Sequence, residues 1–89
     1  MNKLNIVNLI AKYSSLNKRN NNTYILIVSL QDNLDNNISI SILINKNLYE
    51  SLLDYCIEDD ILGIKGLISL CENQIQIIGN KIILLSSKK

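Results

Sequence analysis

An 89-residue chain with nine basic residues against eight acidic ones carries a net charge of +1. That length holds one domain, and that charge gives no global pull toward an anionic partner. The 47% hydrophobic content supplies a core without disulfides or metal, while the absence of His and of any C-x-x-C around Cys56 and Cys71 excludes an ordinary zinc site.

No apolar run approaches the roughly 20 residues needed to span a bilayer. The opening Met1-Asn2-Lys3-Leu4-Asn5 lacks a signal-peptide layout, so an intracellular protein with reduced thiols is expected. The first strand is predicted from Leu4 to Tyr13, with Leu4, Ile6 and Leu9 facing the core. Ser14 to Asn22 has no hydrophobic period and reads as a loop. Thr23 to Gln31 is β-branched and alternates, so Tyr24, Leu26, Val28 and Leu30 share one face. The remaining residues, Thr23, Ile25, Ile27, Ser29 and Gln31, share the other.

Asp32 to Asn37 is a turn of Asp and Asn residues. The third strand, Ile38 to Ile44, buries Ile38, Ile40, Ile42 and Ile44 and exposes Ser39 and Ser41, since a slip of one residue would bury the serines. Asn45 is an N-cap for a helix over Asn47 to Cys56, whose inner stripe is Leu48, Leu52 and Tyr55 or Cys56. Cys56 is expected inward beside Leu52 and Leu53, as a reduced thiol acting as a small hydrophobe. Glu58-Asp59-Asp60 turns into the fourth strand, Asp59 to Ile68, where Gly63 and Gly66 mark a bulge or a sharp bend. Glu72-Asn73-Gln74 makes a hairpin to the fifth strand, Gln74 to Leu85, and Ser86 to Lys89 form a frayed basic tail.

Five strands with one short helix between the third and fourth predict a single all-β domain over residues 1–89, a five-stranded OB-fold barrel. That fold serves mostly as a binding platform for single-stranded nucleic acid or oligosaccharide. With no His, no nucleophile elbow and no Gly-rich phosphate loop, no catalytic constellation is present. No enzyme activity and no cofactor or metal is expected. The acidic group at Glu58 to Asp60 reads as a turn.

From Ile38 to Leu85 the chain resembles the single-stranded DNA-binding protein family. The resemblance rests on the alternating strand, the Asn47 to Tyr55 helix, and Leu62-Gly63-Ile64-Lys65-Gly66-Leu67. Ile77-Ile78-Gly79-Asn80-Lys81-Ile82 continues it, and Asn5 to Ile10 fits more loosely. Among compact members it is most similar to primosomal replication protein N and to short plastid-encoded relatives. The resemblance implies sequence-independent binding of single-stranded DNA, with RNA as the alternative, in replication or repair, by a homo-oligomer of two or four copies.

Lys12, Lys18 and Arg19, with Tyr13, bracket the loop after the first strand, which in OB folds helps close over the ligand. The resemblance makes them phosphate contacts and a ring platform, joined by Asn21 for hydrogen bonds and by Tyr24. Lys46, Lys65 and Lys81 extend a basic track. Against this stand the missing Phe and Trp, the low charge, and the absence of the acidic tail that bacterial members carry. An OB-fold adaptor is therefore the second reading, with Ile25, Ile27 and Leu43 exposed at a partner interface. The richness in Ile, Asn and Lys, with Ala only at Ala11 and no Pro, reflects AT-rich codons and points to a plastid or the cytoplasm of an AT-rich bacterium.

Overall fold

Alternating Ile-rich segments build five strands and one helix in the order β1 (Ile6–Lys18), β2 (Tyr24–Gln31), β3 (Asn37–Ile44), α1 (Lys46–Tyr55), β4 (Ile61–Cys71) and β5 (Gln74–Ser86). The computed structural model describes residues 5–20, 22–31, 34 and 36–86, the side chain of Cys71 excepted. Expectations for Leu4, Asn21, most of the turn from Asp32, and the tail from Ser87 onward lie outside the described residues. The strands close into a barrel in the order β1-β2-β3-β5-β4, which with a helix between β3 and β4 is the OB fold. Every pairing is antiparallel except the last join, where β3 runs parallel to β5 through Ile42↔Ile77 and Leu43↔Ile78.

The core follows from alternation on each strand. Tyr24, Leu26 and Val28 of β2, Ile42 and Ile44 of β3, Leu62 and Ile64 of β4 and Ile82 of β5 are buried together. Each such Ile or Leu contributes roughly 1.5–3 kcal/mol when fully buried. Ile40 packs at the edge of this cluster. Ile38, expected inside, is 50% exposed: it pairs with Leu30 near the end of the β2–β3 ladder, away from the join with β5.

Strand β1 departs most from expectation. It runs on to Lys18, five residues past Tyr13, where a loop is predicted. A bulge explains the misreading: Tyr13 pairs with Val28 but Ser15 with Ile27, so Ser14 is the extra residue. Before it Leu9, Ala11 and Tyr13 point inward; after it the inward parity switches to Leu16. Bulges strengthen local twist and break the period on which the eye relies. Ile6, expected inward, lies on the opposite parity from Leu9 and is 45% exposed.

Helix α1 is capped as predicted, the Asn45 Oδ1 accepting the Leu48 N–H at 2.8 Å. It starts one residue earlier than expected, at Lys46, and plugs the barrel with fully buried Leu52, while Leu48, Tyr49, Tyr55 and Cys56 pack around it. Leu53, expected beside Cys56, is 56% exposed. Cys56 is a free thiol at the helix C-cap. Asp60 follows in the turn and is fully buried: its carboxylate accepts the Ile57 N–H at 3.0 Å, and its carbonyl accepts the Tyr13 N–H at 2.8 Å. The turn thereby hooks onto β1.

In β4 and β5 the predicted irregularity falls at Gly66. Lys65 pairs with Lys81 but Gly66 with Gly79, leaving Asn80 as the bulged residue. Gly63 instead sits in regular pairing with Ile10 and Ile83. The hairpin turns through Glu72 (φ 53°) and Asn73 (φ 65°), between the pair Cys71↔Gln74. Two left-handed central residues make a type I′ turn, whose twist suits a long hairpin.

Candidate nucleic-acid interface

The outer faces of β2, β3 and the first half of β5 meet in a groove of about 330 Å³. The sheet supplies its floor: Ile25 from β2, with Ser41 and Leu43 from β3. Arg19, just past the end of β1, forms one rim. Glu72, Gln74, Ile75 and Gln76 of the β4–β5 hairpin form the other. Alternation sends the odd-numbered residues of β2 and β3 outward here, which is why the floor is aliphatic and hydroxyl rather than core.

The rim at Arg19 is held by backbone. The Arg19 N–H donates to the Thr23 carbonyl at 2.9 Å, closing the loop between β1 and β2 to a few residues. Within it, the Asn20 Oδ1 accepts the Asn22 N–H at 2.8 Å. Lys18 lies beside this rim with its Nζ 5.9 Å from the Tyr24 ring centroid, a cation–π contact. Of this predicted basic pair, Arg19 lines the groove and Lys18 sits over the Tyr24 ring.

The tyrosines are placed otherwise. Tyr24 is 7% exposed and packs against Tyr49 at 4.8 Å between ring centroids, tilted by 43°. It is a core residue, not a platform for a base, because alternation turns it inward with Leu26 and Val28. Tyr13 is half-buried against the core, and burial, then Cys56 and Tyr49, push its hydroxyl above the usual range. Tyr55 closes the helix, raised likewise by burial and then by Cys56. No tyrosine lines the groove.

The remaining lysines are spread. Lys12 is exposed on β1 and lines a separate depression with Ile10, Leu30 and Asn37. Lys46 is exposed at the start of α1. Lys65 and Lys81 face each other across β4 and β5, beside Asn8, in a third depression away from the groove. They form a pair but no track continuous with Arg19. Ile25, expected exposed at a partner interface, is 3% exposed, while Ile27 and Leu43 are half-buried. Gln74, Ile75 and Gln76 had a legible signal, alternation directly after a turn, but the hairpin's fold back over β3 is a long-range event. Among the described residues no group of three His, Cys, Asp or Glu side chains gathers to hold a metal.

No family model matches the sequence, and no curated protein matches it. Solved structures do match its fold. The mitochondrial single-stranded DNA-binding protein Rim1 of S. cerevisiae superposes with a TM-score of 0.78 at 10% identity, covering 94% of this chain and 96% of that one. The N-terminal domain of PriB from Thermoanaerobacter tencongensis, whose structure is dimeric, gives 0.69 at 13% identity, covering 96% and 100%. An SSB domain from Synechococcus gives 0.63 at 14% identity, covering 88% and 92%. At identities of 10 to 14% what is shared is the architecture: an OB fold of the kind found in single-stranded DNA-binding proteins.

Proposed function

We propose that this chain binds single-stranded DNA, without sequence preference beyond base type, along the groove between Arg19 and the β4–β5 hairpin. The observation that carries the reading is this groove itself: OB folds take their ligands on the same face, between the same two loops. Likeness in fold to proteins that bind single-stranded DNA supports it. Lys18 and Arg19 supply the phosphate contacts, and the low net charge keeps the electrostatic share of affinity small. A Kd of about micromolar or weaker at physiological salt follows. A source in a plastid or an AT-rich bacterium fits the AT-rich vocabulary of the chain, and service in replication or repair belongs to the proposal through the likeness in fold.

A homo-oligomer is part of the proposal. β1 pairs with β4 over Ile6–Lys12 but with β2 only from Lys12 onward, so among the described residues no strand pairs with the other edge of Ile6 to Ala11. On that strand Ile6 and Ile10 are exposed, and on its paired side so are Leu67 of β4 and Ile83 of β5. An open edge flanked by apolar side chains is what a second copy of the strand would cover, and joining two weakly charged barrels lengthens the binding track.

Titration of a labelled thirty-base oligo-dT at low and physiological salt tests the reading, with an RNA oligomer of the same length in parallel. Binding at low salt, weakened by salt, is expected; no binding at low salt ends it. The Lys18→Glu, Arg19→Glu variant should lose retention and lower the slope of log affinity against log salt by about 1.4, two single-strand phosphate contacts. The adaptor reading predicts no such change.

A further inference from the structure

We infer that the groove recognises the 5-methyl group of thymine, and so tells DNA from RNA by the base rather than by the sugar; this rests on the groove being the nucleic-acid site. Single-strand binders ordinarily hold bases on aromatic rings, whose π-faces accept every base alike. Here no ring lines the groove, and the accessible apolar surface is aliphatic: half-buried Leu43 on the floor and Ile75, 71% exposed, on the hairpin wall. An aliphatic side chain has no quadrupole with which to hold a ring face, but it pairs well with a methyl group, as apolar side chains do with thymine in duplex recognition.

The charges orient the occupant. Arg19 lies on one rim and Glu72 on the other, so a strand runs with phosphates toward Arg19 and bases toward the hairpin. That orientation brings base edges to Ser41, Gln74 and Gln76, whose hydroxyl and amides donate and accept. Thymine and uracil present identical hydrogen-bonding edges, so these polar contacts and Glu72 treat them equally. Only the methyl differs, and only Leu43 and Ile75 are placed to bury it. Burial of one methyl group corresponds to roughly a fourfold change in affinity for each base held.

The test compares oligo-dT with oligo-dU of thirty bases, both on deoxyribose. Wild-type protein should bind oligo-dT at least roughly fourfold more tightly. Leu43→Gln and Ile75→Gln should bring the ratio of oligo-dT to oligo-dU affinity down toward one, whichever way affinity for oligo-dU itself moves. Ile75 is exposed on the hairpin, so its substitution spares the barrel should Leu43→Gln fail to fold. Equal binding of the two oligomers by wild type overturns the methyl inference alone. A preference that persists in Ile75→Gln with Leu43→Gln places its source elsewhere and overturns it too. Failure to bind either oligomer at low salt removes the groove reading and this inference together.

Discussion

Gly66 is the position where a single methyl group does most harm. A Cβ built there would lie against the Ile78 carbonyl oxygen, which is backbone and cannot rotate away. Gly66→Ala should therefore cost about 1–3 kcal/mol, the range for overpacking, read as a lowered urea midpoint with unchanged slope. Asn73 is the converse case. It holds φ at 65° in the hairpin turn, so Asn73→Gly should raise the thermal midpoint, by about 0.5 kcal/mol of stability, since Asn tolerates this region better than most residues. Cys56 brings pH dependence. Burial, then the charge of Asp60, pushes its thiol up to about 11 from 9.0. The unfolded chain releases that proton first, so stability is unaffected below pH 9 and declines as pH rises toward about 11. Burial raises Tyr13 and Tyr55 in the same sense, extending the decline. Urea midpoints across this range should fall, and less steeply at first in Cys56→Ser.

At the scale of elements, the helix and the two turns that flank β4 were written most plainly. Asn45 caps α1 through its Oδ1, so Asn45→Ala should cost about 1 kcal/mol in thermal or chemical unfolding. Leu52→Ala, deep in the plug, should cost about 2–5 kcal/mol by the same measurement. The inner faces of β2 and of the second half of β3 follow from strict alternation, and Gly66 announced its bulge. What resisted reading was the second half of β1. Ser14 shifts the period, and in Ser14-Ser15-Leu16-Asn17-Lys18 only Leu16 is apolar, so strand signals vanish although the backbone ladder with β2 continues to Tyr24. The candidate site divides the same way. Arg19 was legible as a basic residue at a loop, whereas Lys18, expected in that loop, is the last residue of β1. Leu43 and Ile75 could not be joined in sequence, because their neighbourhood depends on a hairpin swinging over a strand some thirty residues away.

For the molecule as a whole, the last join of the barrel matters more than its size. Four of the five seams are long antiparallel ladders, whereas β3 and β5 meet through two residue pairs, Ile42↔Ile77 and Leu43↔Ile78. Gly79 sits beside them with the Ile42 Cγ2 3.1 Å from where a Cβ would stand, so a larger residue there would press on the side chains of Ile42 and Ile44. Local opening begins where few contacts must break, and amides bonded across this join should exchange faster than those bonded across the β4–β5 ladder. The groove straddles the same join, with Ser41 and Leu43 on one bank and Gln74 and Gln76 on the other. Under the proposed function, a strand of DNA lying across it would act as a clasp on the cylinder's weakest hoop. Occupancy should then slow exchange at Leu43 and Ile78 ahead of every other amide, tying the capture of a ligand to the integrity of the shell that holds it.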